Sequence, residues 1–194
     1  RWGDYGELTA RPDRHCLPFQ AKEKGYETLA VHGFASGFFD RRHWYPNIGF
    51  SEDLFGEQLL ASGMPECSGV FPGACDTAVP ALLAKRFKSS STPLFAYWLT
   101  LNSHLPVPAE DALQTMNCAG RKAGQKEMTA GVCRLSVVVS RTMDSLAQML
   151  LDPDLAPTDV LIVGDHMPPF FDHRSRGMFD EGRVPWILLT SRGN

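Results

Sequence analysis

Two adjacent side chains, Asp165 and His166, carry the strongest chemical signal in the sequence. They follow Val160-Leu161-Ile162-Val163-Gly164, a short apolar run rich in β-branched residues that reads as a buried strand of a parallel sheet. In open α/β sheets ligands bind beyond the carboxyl ends of the strands. A carboxylate and an imidazole placed there suit a hard or borderline cation such as zinc. The plain alternative is that Asp165 caps a turn and His166 is a surface histidine. Two further predicted strands also finish near a histidine: Tyr26–Gly33 contains His32, and Leu94–Leu101 runs into Asn102-Ser103-His104. In a parallel sheet all three imidazoles leave at one edge. His173 is in reach on the loop after His166, and Arg41 and Arg42 sit in the aromatic segment after His32. Guanidinium groups hold phosphate or sulfate oxygens in pairs, and a metal stabilises charge on a group in transfer. Singly, each residue is better explained as solvated surface; their coincidence at one edge points to a site. Two parts are missing. No Ser or Thr sits in a strand-to-helix elbow to act as nucleophile, and Asp165 with His166 leaves a metal short of three or four ligands.

Four predicted strands alternate with helices to position these residues: 26–33, 94–101, the run from 160, and 184–190. The expected fold is α/β, a mainly parallel sheet flanked by helices, with residues 1–194 as a single domain. Residues 19–25 resemble the last turns of a helix closed by Gly25. A helix is expected from Ser51 to Leu60, and another capped by Asp76 through Ala78, Leu82, Leu83 and Phe87. The longest helix spans Thr129–Leu151, where Val132, Leu135, Val139, Met143, Leu146 and Leu150 recur at helical spacing. Residues 1–18 read as irregular and 105–128 as a surface excursion. The aromatic segment 34–50 is too irregular for a helix and too long for a tight turn, a length usual in functional loops.

A net charge of −3 gives no case for nucleic acid as a partner, and no apolar run approaches the roughly 18 residues of a membrane helix. Arg1 in place of Met leads us to expect a piece of a longer protein, whose signal or membrane anchor lies elsewhere. Of the five cysteines, Cys67 with Cys75 and Cys118 with Cys133 flank short loops of the kind disulfides staple, which suggests an oxidising compartment; Cys16 is left over. The alternative is five reduced, buried thiols. No zinc-finger spacing is present.

Three blocks resemble the carboxyl-terminal part of the alkaline phosphatase superfamily catalytic domain. The resemblance is to its sulfatase-like membrane branch of lipoteichoic acid synthases, phosphoglycerol transferases and phosphoethanolamine transferases. Gly25-Tyr26-Glu27-Thr28 through Val31-His32-Gly33 to Phe38-Phe39-Asp40-Arg41 and Ile48-Gly49-Phe50 is similar to a substrate-lining segment. Its His, aromatic and Arg carry over to His32, Phe39 and Arg41, with Phe39 standing where the pattern has Trp. Thr100-Leu101-Asn102-Ser103-His104-Leu105-Pro106 resembles the segment whose His faces the transferred phosphoryl group, which implies a catalytic role for His104. Val163-Gly164-Asp165-His166 resembles the zinc- or manganese-binding pair. The family's catalytic Thr or Ser and an acidic ligand lie upstream of the first block and have no counterpart here.

The resemblance implies metal-dependent transfer of a phosphoglycerol or phosphoethanolamine head group from a phospholipid to an acceptor hydroxyl, through a covalent phospho-enzyme. Asp165 and His166 would bind the metal; His32, Phe39, Arg41 and His173 would contact substrate. The nucleophile would come from outside this chain, leaving residues 1–194 alone inactive. The paired cysteines suit a periplasmic or other extracytoplasmic setting, with the membrane reached through a missing N-terminal segment. Two rivals are a sulfatase or phosphatase hydrolysing a soluble ester, and a non-catalytic sulfatase-like binding domain.

Overall fold

The structure is a computed structural model that describes residues 5–191. The chain divides into two compact units: one runs through Cys67 and resumes at Phe71–Asn102, the other comprises Ser68–Val70 and the chain from Ser103 onward.

In chain order the first unit contains α1 (Tyr5–Ala10), α2 (Leu17–Glu23), β1 (Glu27–His32), α3 (Arg41–Trp44), β2 (Glu52–Leu54), α4 (Gly56–Ala61), β3 (Glu66–Cys67), β4 (Gly73–Ala74), α5 (Val79–Ser89) and β5 (Leu94–Leu99). Pro18 opens α2 without losing a helical hydrogen bond, and Gly25 at φ 84° turns the chain out of it, as expected. A parallel sheet of order β2-β1-β5 forms the frame. Central β1 is buried along Thr28–His32, which explains its continuous apolar character. Its register with β5 runs from Glu27 opposite Leu94 to His32 opposite Leu99, so both strands end at the same edge. Ala30, Tyr45, Phe50 and Phe55 form a buried cluster, with Trp44, Ile48 and Phe95 packed against it. At the sheet's carboxyl edge, Gly73 admits the main chain of Gly33, whose carbonyl oxygen would lie 2.1 Å from any Cβ there.

Several local expectations yield to tertiary contacts. The helix expected from Ser51 begins later, because Ser51 donates its N–H to the Thr28 hydroxyl at 2.9 Å and residues 52–54 pair with β1. Phe55 then becomes the N-cap of α4, and the Gln58 side chain accepts its N–H. Within 1–18, expected to be irregular, residues 5–10 form α1 and Leu17 and Pro18 open α2; residues 1–4 lie outside the described residues. The amide of Asn47 donates to the carbonyls of Leu8 and Thr9 at 2.7 and 3.0 Å, a distant cap invisible to local pattern. Asp76 does not cap α5. It opens a 3-10 turn, Asp76–Ala78, and turns its carboxylate to the end of β5. Residues 34–50 are a chain of short helical turns, Phe38–Asp40, α3 and Pro46–Ile48.

The second unit contains the ribbon β6 (Lys122–Ala123) and β7 (Lys126–Glu127), then α6 (Ala130–Leu150), β8 (Val160–Val163), α7 (His173–Arg176) and β9 (Trp186–Leu189). Thr129 caps α6, its hydroxyl accepting the Val132 N–H. The buried stripe is Val132, Leu135, Val138, Thr142, Leu146 and Met149, turned from the expected one by a residue at Val138, Thr142 and Met149.

The expected parallel sheet is present as β2-β1-β5, but the expected place of β8 and β9 in it is corrected. β8 pairs with β9 antiparallel, Val160 opposite Leu189 and Val163 opposite Trp186, as a separate two-stranded sheet. A parallel return usually runs through a crossover helix; residues 164–185 are long enough for a crossover but carry only the four-residue α7, and the chain returns alongside β8 instead. The ribbon is apolar on both faces and uncovered, with Leu161, Trp186, Ile187 and Leu188 each half or more exposed.

Disulfides join Cys67 to Cys75 and Cys118 to Cys133, and Cys16 is free.

Candidate active-site residues

His32 closes β1 and is 4% exposed. Its Nδ1 lies 3.0 Å from the Leu99 carbonyl oxygen. That oxygen can only accept, so Nδ1 carries the proton and Nε2 a lone pair. Burial pushes the pKa down to about 4, against the Leu99 hydrogen bond, with the nearby Arg41 charge lowering it further. His32 is therefore neutral at pH 7 and presents an acceptor, suited to a substrate hydroxyl.

Arg41 is held from several sides. Its guanidinium lies over the rings of Phe38 and Phe39 at 5.6 and 5.1 Å, and Nη1 donates to the Phe38 carbonyl at 3.2 Å. Its charge also favours the ionised form of the nearby Tyr45 hydroxyl, opposing the burial that raises that group's pKa. Phe38 stacks edge-on with Phe34 and Phe39 and meets Phe71 at 5.0 Å, so an aromatic platform supports the cation. Phe39 and Asp40 both adopt φ 55°, a left-handed conformation that costs non-glycine residues about 1–3 kcal/mol each. The Trp44 indole braces this turn by donating to the Phe39 carbonyl at 2.9 Å. The Asp40 carboxylate meets the His43 imidazole through a short contact.

His104 is exposed in the second unit, its Nδ1 donating to the Leu105 carbonyl at 2.8 Å. His166 repeats the pattern with Met167 at 2.8 Å. All three strand-end histidines thus hand Nδ1–H to the main chain and leave Nε2 as the nitrogen free to act. His166 Nε2 lies 3.4 Å from Asp165 Oδ2, both side chains well exposed. With His166 protonated this is an ordinary ion pair. With it neutral, two lone-pair donors face each other, and two ligands at about 2.0–2.1 Å on a tetrahedral zinc stand about 3.3 Å apart. The pair therefore fits two corners of such a site. Among the described residues no group of three His, Cys, Asp or Glu completes it. His173 is exposed at the start of α7, after Asp172, whose carboxylate caps the turn at Ser175.

His32, Phe39 and Arg41 thus share the first unit, while His104, Asp165, His166 and His173 belong to the second. Phe38 and Phe71 are supports of Arg41 that the sequence alone did not assign to the site, and Asp76, expected as a helix cap, is turned to the end of β5. Phe38 was visible as part of an aromatic run; Phe71 and Asp76 act through contacts that no local pattern encodes.

A family model described as Sulfatase matches residues 9–193. The chain belongs to the sulfatase family. Enzymes of the alkaline phosphatase superfamily generally use metal ions. No curated protein sequence matches at a significant level. Among solved structures, this sulfatase-family chain is similar to a protein in the alkaline phosphatase superfamily from Vibrio parahaemolyticus, with TM-score 0.62 and 14% identity over 95% of this chain and 44% of that one. It is similar to the lipoteichoic acid synthase LtaP from Listeria monocytogenes, with TM-score 0.64 and 17% identity over 94% and 47%. A third is the Streptococcus pyogenes phosphoglycerol transferase GacH in complex with sn-glycerol-1-phosphate, with TM-score 0.56 and 17% identity over 86% and 44%. The chain spans less than half the length of each of these structures, and the likeness is one of fold.

Proposed function

We propose that the intact protein transfers a phosphoryl-linked head group, phosphoglycerol or phosphoethanolamine, from a phospholipid to an acceptor hydroxyl. The observation that carries this is the pairing in one unit of a neutral, acceptor-presenting His32 with an Arg41 cation braced on phenylalanines. An acceptor for O–H or N–H beside a cation suited to phosphate matches a head group bearing a phosphate and either the hydroxyls of glycerol or the ammonium of ethanolamine. Fold similarity to a lipoteichoic acid synthase and a phosphoglycerol transferase supports the same substrate class.

Asp165 and His166 would hold a zinc or manganese ion, which supplies positive charge where the phosphoryl oxygens gather it. Phe39 lines the head group with its ring, and His173 is a further contact to it. His104, its Nδ1 held by the Leu105 carbonyl, presents Nε2, the atom through which a proton would reach the leaving oxygen. The nucleophile, a Thr or Ser, comes from polypeptide preceding Arg1, and residues 1–194 form the larger C-terminal part of one catalytic domain. The uncovered apolar ribbon β8–β9 supports that continuation, since a two-stranded ribbon does not stand alone in water. The two disulfides favour an extracytoplasmic setting at the cell envelope. Among the described residues no helix is long and apolar enough to cross a membrane.

The test compares the full-length polypeptide with residues 1–194 on phospholipid vesicles carrying labelled phosphatidylglycerol or phosphatidylethanolamine, with glycerol as acceptor. The full-length protein should transfer the labelled head group and residues 1–194 should not. Turnover by residues 1–194, abolished by Asp165→Ala, would place the nucleophile inside this chain. Cleavage of a soluble sulfate ester in preference to the lipid would establish the hydrolase instead.

A further inference from the structure

The first unit contains a buried carboxylate that none of the chemistry above uses. Asp76 is 1% exposed at the carboxyl edge of the three-stranded sheet. Its Oδ2 accepts the main-chain N–H of Leu101 at 2.8 Å and of Asn102 at 2.6 Å, and its Oδ1 accepts that of Leu101 at 3.0 Å. Asn102 answers through its own Oδ1, which accepts the main-chain N–H of Asp76 at 2.7 Å. The two residues therefore form a closed latch across 26 positions of sequence.

The latch sits where the ladder ends. β5 pairs with β1 only as far as Leu99, so Leu101 and Asn102 lie beyond the last sheet register, and the carboxylate receives their N–H groups there. Asn102-Ser103-His104 leaves from this point. The arrangement carries a cost. A backbone N–H only donates, so the Asn102 oxygen must face Asp76, and Nδ2 is buried with no hydrogen-bond partner. The Trp98 indole N–H favours the ionised carboxylate but lies outside hydrogen-bond geometry. A threonine at 102 would offer Asp76 an acceptor without an orphaned amide. Capping of α5 does not account for the pair either, since the Asp76 side chain makes no cap hydrogen bond to that helix.

We propose that Asp76 and Asn102 are positioning residues for His104. Their latch sets the direction in which the main chain leaves β5, and so where the imidazole two residues later is presented. This rests on the placement of His104 in a phosphoryl-transfer site, and it assigns to the latch no contact with substrate.

The experiment uses the full-length polypeptide with histidine-selective NMR labelling, in the parent, Asp76→Asn and Asn102→Ala. Asp76→Asn sets an N–H₂ against one of the two amides. It should speed exchange of the Leu101 and Asn102 amides by about tenfold or more. In both variants the His104 resonance should shift while that of His166 stays in place. Head-group transfer should show kcat falling by about tenfold or more, with KM changed less than about twofold. Asn102→Ala removes the orphaned donor together with the hydrogen bond, so it should melt within a few degrees of the parent and still move His104. Asn102→Thr, which restores an acceptor, should return the His104 resonance toward its parent position. An unmoved His104 resonance and unchanged kcat in both Asp76→Asn and Asn102→Ala would overturn the proposal and leave the latch purely structural. Should Asp76→Asn fail to fold, Asn102→Ala decides alone. Should the parent transfer no head group, the proposed function fails, while the His104 resonance still decides the role of the latch.

Discussion

His32 with Arg41, and Asp165 with His166, meet water in opposite ways. His32 is 4% exposed, donates across strands to Leu99, and shares its surroundings with a guanidinium seated on two phenylalanine rings. The side chains of Asp165 and His166 are 83% and 61% exposed, and His166 Nδ1 donates to the carbonyl of the next residue. The first pair is organised by the core beneath it, through Tyr45, Phe50 and Phe55. The second is organised only by its own backbone. Burial lets the first pair keep its geometry before substrate arrives, which is what preorganisation requires. An exposed carboxylate and imidazole keep theirs only when something binds between them or covers them.

The largest expected effect separates activity from stability. In the full-length polypeptide, Asp165→Ala should lower head-group transfer by about 10²–10³-fold. It should leave the melting temperature of residues 1–194 within error, because so exposed a side chain contributes little to folding. A large loss of stability would show that Asp165 is built into the fold as His32 is. Next comes Phe55→Ala. Phe55 is 1% exposed, so truncation should cost about 3–5 kcal/mol in chemical denaturation, whereas Leu188→Ala at 53% exposure should cost less than about 1 kcal/mol. Similar costs at the two positions would mean the ribbon is covered in solution.

The pH dependence of stability sharpens the same contrast. His32 has a folded pKa of about 4, below its unfolded value near 6.5, so its contribution is intact above pH 6.5 and is lost as the pH falls toward 4. Burial raises Asp76 to about 6 from about 3.8, against hydrogen bonds that lower it; its contribution is greatest below pH 4 and is lost as the pH rises through 6. Each spans about 3 kcal/mol with opposite sign, so between pH 4 and 6 the two largely cancel. Urea midpoints should accordingly be nearly flat in that window. His32→Gln should unmask stability that falls with rising pH, and Asp76→Asn the reverse; a flat profile in both variants would contradict the burial of these groups. Smaller again than the cost at Phe55 are the effects of the disulfides. Cys67→Ser/Cys75→Ser and Cys118→Ser/Cys133→Ser should each cost about 2–3 kcal/mol by loop entropy, read as a drop in the denaturation midpoint.

Much of the fold was legible because it is local. The apolar runs at 27–32, 94–99, 160–163 and 186–189 became strands, and the periodicity of 130–150 became the longest helix. Gly25 ended its helix as expected. Both cysteine pairs, close in sequence, closed as disulfides. Where local preference met a distant partner, the partner prevailed. Ser51 served Thr28 instead of capping a helix, Asn47 capped α1 from across the chain, and Asp76 bound the end of β5 instead of its own helix.

For the candidate site the sequence by itself determined residue type and order: histidines at the ends of apolar runs, an Asp-His pair after glycine, and an arginine in an aromatic loop. These are properties of neighbours along the chain, and they were enough to identify the family. Only the tertiary structure decided which of them are buried, which nitrogen of each imidazole holds the proton, and that β8 pairs with β9 rather than with the sheet that carries His32. Desolvation, tautomer and strand pairing all depend on groups far away in sequence. That is why Asp165 and His166, the clearest pair in the sequence, are the more exposed half of the chemistry in the fold.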